Sequence, residues 1–484
     1  MVLWDSNVVG FIYYLETLQQ GKHMKKNTSR LLRYLPSAFW AMAGIRLFFN
    51  AVLPLMDQTE ARYGNIARIM AETKEWVVLQ VDYGIPFWAK PPLSTWAAAA
   101  CISLFGTSEF AARFPYFLVC IAMAFWANRY RRKNEAHFYL IPFLVLSIPE
   151  FYLHAGVVST DVFLSVSVAL VLFGFWEALN RTRPKLWGYL FFGGLGLGML
   201  AKGPIIGILT LPPIFVWALL TKNLKRAFVT APWVLGVLLF VGLCLPWYLM
   251  AEIRSPGFLD YFIVGEHFNR FFNSAWQGDR YGFPKQQPLG IIWVFLAGFT
   301  LPWSVLLFSK FKSLRIAVTQ NPWVLYLVLW LLWTPLFFTV SKSLIHPYIL
   351  PVMLPFALLV YEFWPQVKRQ SVYLGIAGGL PLLLFVVYLS GAVDQVFRDS
   401  TDKFLIDTKA AVYSIDDTSY SSRYYTQGKI QKITVEQAVV RAVQNPQARI
   451  LIHHKTFAKL PDSLQQQFEL VTRNRKKGSY RSPR

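Results

Sequence analysis

The residues best suited to chemistry cluster in a polar segment that follows the first long apolar run. Asp57 and Glu60 are carboxylates that can accept the proton of a hydroxyl group, and Arg62, Arg68 and Lys90 are cations that can hold a phosphate. The same segment also fits an amphipathic helix on a membrane surface, with Arg68 extending toward the headgroups. Both interpretations are open at this point.

A further acid, Asp161, follows Ser159 and Thr160 at the start of another apolar run. Ser159 or Thr160 can cap the predicted helix, and Asp161 can complement its N-terminal dipole. An acid at a membrane boundary, on the same predicted side as Asp57 and Glu60, is also a candidate site residue. Position alone does not decide between capping and a site role.

Two later segments carry candidate binding residues. His267 and Arg270 are three residues apart and would share one face of a helix. A histidine in such a loop is more often a hydrogen-bonded structural residue than a metal ligand, so we assign no metal ligand. Lys342 and His346, close to Tyr348 at the entrance of an apolar run, could face a lipid phosphate or extend to the headgroups.

The elements that must position these residues cross a membrane. The 484 residues are 55% apolar and 15% charged, against about 25% charged in an ordinary soluble domain. Together with apolar runs close to the ~20 residues of a membrane span, this composition excludes a soluble globular protein. The net charge of +22 falls mainly in short loops, as the positive-inside rule expects, so we expect no nucleic-acid partner.

The alternation of basic loops predicts the topology. Residues 1–35 carry no cleavable signal pattern, Met24 is an alternative start, and the basic residues before residue 36 place this segment in the cytoplasm. The later basic loops then alternate if residues 92–105 are interfacial or re-entrant. Because some of the apolar runs are interrupted, the expected number of spans is 11 to 13. The eleven spans are at about 36–55, 114–128, 138–153, 161–178, 186–201, 204–220, 228–250, 289–308, 323–340, 344–362 and 371–390.

We therefore expect a polytopic all-α membrane protein with a small extramembrane α/β domain at its C-terminus. Alternating apolar strands near 411–415 and 450–453 and a helical pattern across 435–443 indicate this domain, whose basic end, Arg473 to Arg484, is expected to be disordered or lipid-adjacent. The expected parts are a cytoplasmic segment 1–35, a transmembrane domain 36–390 with outer loops 57–113 and 251–288, and an outer domain 391–484.

Taken in chain order, the motifs resemble those of a known family. Each motif alone is weak, and the specific signal is their order on one predicted face, over about residues 36–365. The motifs are Thr59-Glu60-Ala61-Arg62-Tyr63, Lys90-Pro91-Pro92-Leu93, Phe110-Ala111-Ala112-Arg113-Phe114-Pro115, Ser159-Thr160-Asp161, Ala201-Lys202-Gly203-Pro204, Glu266-His267-Phe268-Asn269-Arg270-Phe271, Ser341-Lys342 and Tyr348-Ile349-Leu350-Pro351. The series is similar to the polyprenyl-phosphate-sugar-dependent glycosyltransferases of the membrane C-type fold, which include aminoarabinose transferases of lipid A and protein O-mannosyltransferases.

The resemblance implies an inverting transfer of a sugar from a polyprenyl-phosphate donor to a lipid, glycan or protein acceptor. The reaction would take place at the periplasmic face of the bacterial inner membrane, among membrane lipids. Asp57 or Glu60 would act on the acceptor hydroxyl, because the usual Asp-Glu pair reads Thr59-Glu60 here. We favour Asp57 slightly, and Asp161 would line the site. The substrate-binding residues implied are Arg62, Tyr63, Lys90, His267, Arg270, Lys342 and Tyr348.

Two departures from the family pattern concern metal and acceptor. In the aminoarabinose transferases an acid before the Lys-Pro pair binds a metal with a histidine that His267 resembles, and here that position is Ala89. His346 stands in a Leu-Ile-His sequence where Lys-Leu-Pro would be expected. We therefore expect no required cofactor and leave a divalent metal open.

The alternative function is a transporter or flippase for a lipid-linked sugar, although the charged residues concentrate on one face rather than at mid-membrane.

Overall fold

The computed structural model describes residues 32–133, 135, 137–180, 184–270, 276, 278, 280, 281 and 287–483. The expectation for residues 1–35 falls almost entirely outside this range. Helices dominate the described chain as far as residue 400. The first half contains α1 (Leu35–Val52), α2 (Thr59–Thr73), α3 (Leu93–Phe105), α4 (Glu109–Ala127), α5 (Leu140–Leu146), α6 (Pro149–His154), α7 (Thr160–Asn180), α8 (Pro184–Lys202), α9 (Ile205–Leu220), α10 (Leu224–Thr230) and α11 (Trp233–Arg254). A hairpin of β1 (Gln80–Asp82) and β2 (Ile85–Pro86) lies between α2 and α3.

The second half continues the helical pattern after a π-helical segment, Asp260–Asn269. A 3-10 segment, His346–Val352, leads directly into one of these helices. The helices are α12 (Ile291–Phe299), α13 (Trp303–Ser309), α14 (Phe311–Gln320), α15 (Pro322–Phe338), α16 (Met353–Phe363), α17 (Gln370–Leu389) and α18 (Asp394–Ser400).

All eleven predicted apolar runs contain helix, although some of them are broken. Residues 138–153 divide into α5 and α6, and α12 and α13 meet at 103° around Pro302, which cannot continue a helix from its N-terminal side. By length and composition, six described helices could cross a membrane, or eight if each bent pair is one span. The polytopic all-α fold is confirmed, and the count of 11 to 13 spans stays a prediction.

Helix α7 lies at the centre of the bundle. Of its apolar stretch, 83% is buried, against 11% for α17 at the periphery. Gly174 on α7 and Gly194 on α8 let these helices approach closely, since an added Cβ at Gly174 would lie 2.8 Å from the backbone nitrogen of Phe191. Because the two helices are consecutive and antiparallel, the start of α7 and the end of α8 meet at one end of the bundle.

The C-terminal part is the small α/β unit expected from the sequence. Its strands are β3 (Val412–Ser414), β4 (Gln431–Lys432), β5 (Arg449–His453), β6 (Glu469–Arg473) and β7 (Lys477–Arg481), in the order β4-β3-β5-β7-β6. The strands β4, β3 and β5 are parallel, and β7 is antiparallel to β5 and β6. The helices are α19 (Tyr420–Tyr425), α20 (Val435–Gln444), α21 (His454–Phe457) and α22 (Asp462–Gln465).

The expectation of a disordered end beyond Arg473 is wrong for the described residues, and its lipid-adjacent alternative stays a prediction. Strand β7 pairs on both edges, and Tyr480 is buried opposite Ile450 and stacks on Phe457 at 4.4 Å. Lys477 is buried in an ion pair with Asp402 at 2.8 Å. The basic composition did not indicate a strand. The segment can still be buried, because Lys477 is paired with an acid and Tyr480 faces inward.

Candidate functional site

A polar cavity of about 410 Å³ lies at the end of α7 that bears Asp161. It opens into a recess of about 100 Å³ that shares part of the same lining and includes His267. Lys342 is exposed and lines neither space. The predicted residues that line the cavity are Asp57, Glu60, Arg62, Tyr63, Lys90, Asp161, Arg270 and Tyr348.

The helix pair α7 and α8 supplies the first charged contact of the cavity. Asp161 lies in the first turn of α7 and Lys202 is the last residue of α8, so the antiparallel packing brings them together. The Asp161 Oδ1 atom lies 2.6 Å from the Lys202 Nζ atom, and both side chains are largely buried. The same Nζ atom lies 4.1 Å from the centre of the Tyr348 ring, within cation–π distance.

A buried carboxylate holds two further cations at the cavity wall. Glu266, on the π-helical segment, accepts from Lys90 at 2.8 Å and from Arg270 at 3.1 Å. Burial opposes ionisation of Glu266, but Lys90 and Arg270 outweigh it and lower the pKa of this carboxyl. Because Lys90 and Arg270 are already fixed, an anion that enters the cavity meets positioned cations.

His267 holds the π-helical segment against the turn that follows α8. Its Nδ1 atom lies 2.8 Å from the carbonyl oxygen of Phe262, and its Nε2 atom lies 3.2 Å from that of Lys202. Burial lowers the pKa of this imidazole. The hydrogen-bonded structural role considered from the sequence fits this geometry.

Arg62 is a cation with an unused donor. Its guanidinium lies 5.4–5.8 Å from the rings of Tyr63, Phe87 and Tyr420, and it donates to the backbone carbonyl of Tyr281. Among the described residues, its buried Nε–H has no hydrogen-bond partner. Buried donors are normally satisfied, so an anionic group in the cavity would complete this site.

The two acids that follow α1 have different surroundings. Glu60 forms a two-pronged ion pair with buried Arg113, with both N–O distances at 2.8 Å, and accepts from the backbone N–H of Val158 at 3.2 Å. Asp57 instead accepts from Ser421 of α19, through the backbone N–H at 2.9 Å and through the hydroxyl. Glu60 thus ties α2 to α4, whereas Asp57 meets the C-terminal unit.

The pKa of Asp57 is raised to about 6. Burial is the main cause, the neighbouring carboxylate of Asp402 adds to it, and the hydrogen bonds from Ser421 oppose it. A carboxyl that titrates close to neutral pH is well matched to proton transfer.

Sequence reasoning assigned no role to Lys202, Glu266, Arg113 or Ser421. Lys202 and Glu266 belong to the quoted motifs. The positive-inside rule expects few lysines on the outer side, so the predicted outer position of Lys202 could have identified it as a candidate. Ser421 gave no such signal, because 364 positions separate it from Asp57.

The residues beside Lys90 do not fit the metal pair of the aminoarabinose transferases. Ala89 has no ligand atom, and both ring nitrogens of His267 face backbone carbonyl oxygens, which leaves no free lone pair aimed at a metal. We derive no step through a metal at this place.

Comparison with known proteins agrees with this architecture. The family model described as dolichyl-phosphate-mannose-protein mannosyltransferase matches residues 31–262. The undecaprenyl phosphate-alpha-4-amino-4-deoxy-L-arabinose arabinosyl transferase of Serratia proteamaculans is 28% identical over 392 residues, which cover 74% of this chain and 66% of the relative. The enzyme with the same description from Aeromonas hydrophila is 28% identical, over 66% of this chain and 59% of the relative. The match thus spans less than two thirds of the length of either relative.

Solved structures show the same fold. The crystal structure of ArnT from Cupriavidus metallidurans bound to undecaprenyl phosphate superposes with a TM-score of 0.69 at 17% identity, over 92% of this chain and 98% of that one. Its apo form superposes with a TM-score of 0.68. The C-type glycosyltransferase fold and the resemblance to polyprenyl-phosphate-sugar transferases, both expected from the motifs, are confirmed.

Proposed function

We propose that the chain is an inverting glycosyltransferase of the bacterial inner membrane. It moves a sugar from a polyprenyl-phosphate donor to a hydroxyl group of a lipid, glycan or protein acceptor. The cytoplasmic N-terminus and the periplasmic cavity and C-terminal domain follow from the loop charges. The observation that carries the proposal is one cavity that joins positioned cations with a carboxyl whose pKa is about 6.

The cations would bind the donor phosphate. Negative charge grows on the phosphate as its bond to the sugar breaks, so fixed donors stabilise the transition state more than the ground state. Lys90 and Arg270 are fixed by Glu266, and Lys202 is fixed by Asp161 beside Tyr348. The recess that these side chains share is the phosphate site, and His267 holds its wall in place.

The remaining predicted residues have places around this phosphate site. Tyr63 lies beside Arg62, whose unused Nε–H points to a second anion contact for the donor. Lys342 is exposed outside the cavity, where it would contact a lipid headgroup. Glu60 would act as a positioning residue, because Arg113 and two backbone N–H groups occupy its carboxylate.

Asp57 would accept the proton of the acceptor hydroxyl. The acceptor oxygen then attacks the anomeric carbon, and the carbon–oxygen bond to phosphate breaks on the opposite face, which releases polyprenyl phosphate and inverts the configuration. Asp161 lines both the main cavity and the recess, so it lies between the phosphate site and the acceptor side and would orient the sugar.

The flippase alternative is less well supported by α7. A translocation pathway needs polar groups at mid-membrane. Between Asp161 and Glu177, the polar side chains of α7 include Ser165 and Ser167, and both hydroxyls donate to carbonyl oxygens one turn back at 2.7 Å. The helix itself occupies these hydroxyls. The charged residues of α7, Asp161 and Glu177, lie near its two ends.

A reconstitution assay tests the proposal. Purified protein in liposomes would be given a panel of radiolabelled polyprenyl-phosphate sugars with envelope lipids or proteins, and wild type would be compared with Asp161→Asn. Asp417→Asn, an exposed acid of the C-terminal unit, is the matched control. We expect transfer by wild type and the control and loss in Asp161→Asn. Equal transfer by all three proteins would contradict the assigned site, and binding without transfer by wild type would contradict the activity.

A further inference from the structure

A second group of ligand-type side chains lies in the main cavity wall, apart from the Lys90, Glu266 and Arg270 contacts. Glu150 and His154 are one turn apart on α6, and His346 begins the 3-10 segment 196 positions after Glu150. One ligand atom from each of the three lies within 4.8 Å of the other two. His154 and His346 both line the cavity.

The distances within this group suit a metal ion. The Nδ1 atom of His346 lies 3.0 Å from each carboxylate oxygen of Glu150. The Nδ1 atom of His154 lies 3.2 Å from Oε1 and 3.0 Å from the backbone carbonyl oxygen of Glu150. Tetrahedral zinc with bonds of about 2.0–2.1 Å separates neighbouring ligand atoms by roughly 3.3 Å. A turn of the His154 ring away from the Glu150 carbonyl, with small adjustments of the other two side chains, would bring all three ligands to bonding distance of one ion.

The charge balance of the group also favours a cation. Glu150 is fully buried, and among the described residues its ion-pair partners are the two histidines, with no lysine or arginine. With both imidazoles neutral, a buried carboxylate would keep an uncompensated negative charge, which is costly. A divalent ion bound by two neutral imidazoles and one carboxylate removes that cost.

The group also resembles a metal site that has an open coordination position. The His346 side chain is 35% exposed toward the cavity, while Glu150 and His154 are buried behind it. The His346 ring is held by parallel stacking on Phe299 at 4.7 Å. Two histidines and one glutamate are a known ligand set of zinc sites that keep a fourth position for water or substrate.

We infer that Glu150, His154 and His346 bind a divalent transition-metal ion of the zinc class, with its open coordination position toward the cavity. A water molecule or a substrate oxygen would occupy that position. The site differs from the pair at Ala89 and His267, and it does not depend on the proposed activity.

Metal binding can be measured without an activity assay. Purified full-length protein would be stripped with a chelator and titrated with Co²⁺, with the visible absorption of the bound ion as the readout. We expect one equivalent of Co²⁺ with absorption typical of tetrahedral coordination. Loss of an outer partner of a metal ligand weakens binding by about 10–100-fold, so loss of a ligand in His346→Ala should weaken it at least about tenfold.

Control variants separate a lost ligand from a lost fold. Glu150→Gln keeps the side-chain shape and should weaken Co²⁺ binding as His346→Ala does, with unchanged elution and thermal unfolding. His137→Ala, in the loop before α5, should bind Co²⁺ as wild type. No Co²⁺ binding by wild type would show that the group is only a hydrogen-bonded cluster and would overturn the inference. Binding lost in His267→Ala but kept in His346→Ala and Glu150→Gln would also overturn it.

Discussion

The two sides of the cavity are built differently. On the side proposed to bind phosphate, Lys90, Arg270 and Lys202 are held by buried carboxylates at 2.6–3.1 Å, all from the part of the chain before residue 271. On the side proposed to bind the acceptor, Asp57 is held by Ser421 of the C-terminal unit. The comparison teaches that the ion pairs of the proposed donor site all lie before residue 271, whereas the proposed catalytic carboxyl depends on contact between the two parts of the molecule.

The largest effect should come from the acceptor side. Asp57→Asn removes the proton acceptor and should lower kcat by about 10²–10⁴-fold, the usual contribution of a general base. Donor affinity should change less than about twofold, because the phosphate contacts lie elsewhere. Steady-state kinetics and equilibrium binding of labelled donor measure the two quantities, with Asp417→Asn as control. A variant with nearly normal kcat would remove Asp57 from the mechanism.

The phosphate side should respond in the opposite way. Lys90→Ala removes a charge-assisted hydrogen bond worth about 1.5–3 kcal/mol, so donor affinity should fall by about 10–100-fold. The effect should disappear for a polyprenol without phosphate. Lys312→Ala, an exposed lysine of α14, is the matched control. Equal loss of affinity for polyprenol and polyprenyl phosphate would mean that Lys90 supports the fold of the cavity rather than the anion.

The pH dependence should separate the two sides further. Because Asp57 must be ionised to accept a proton and its pKa is about 6, kcat/KM should fall as the pH drops below about 6, by roughly tenfold at pH 5. Donor affinity should not show this fall at low pH, which we call the acidic limb. The pH profile of kcat/KM for His267→Gln should keep the acidic limb, and this result would show that the His267 imidazole is not its source. A flat profile between pH 5 and 8 would contradict the role of Asp57.

The smallest effect concerns the contact between the two parts. Ser421→Ala removes the hydroxyl that donates to Asp57 and accepts from the backbone N–H of Asp402. Loss of the bond to Asp57, worth about 1 kcal/mol, should lower kcat about fivefold. The side-chain hydrogen bond of Ser421 lowers the pKa of Asp57, so its loss should also raise that pKa and move the fall in kcat/KM at low pH to higher pH. Ser463→Ala, exposed on α22, is the control. An unshifted limb would show that Ser421 does not tune Asp57.

The sequence predicted what depends on local pattern. Apolar length predicted eleven runs that all contain helix, because hydrophobic segments of that length must be helical in a membrane. Helix α14 was not predicted, since it lies in a basic segment between two such runs. The motifs contain most of the charged residues that line the cavity. The bend between α12 and α13 was not predicted, since a proline marks a possible break but not its angle.

Pairings across long sequence distances could not be predicted. Glu60 and Arg113 both stood in quoted motifs, yet their ion pair depends on how α2 packs against α4. The contacts of Asp57 with Ser421 and of Glu150 with His346 join positions 364 and 196 residues apart. Such partners are chosen by tertiary packing, and neither hydrophobic period nor loop charge carries that information.

The most direct test of the central claim is the product balance of the reaction. Wild-type protein in liposomes would receive a polyprenyl-phosphate sugar and its acceptor, and released polyprenyl phosphate, transferred sugar and anomeric configuration would be measured together. The account predicts one polyprenyl phosphate released for each sugar transferred, with inverted configuration. Appearance of the intact lipid-linked sugar on the opposite leaflet, without release of polyprenyl phosphate, would contradict it.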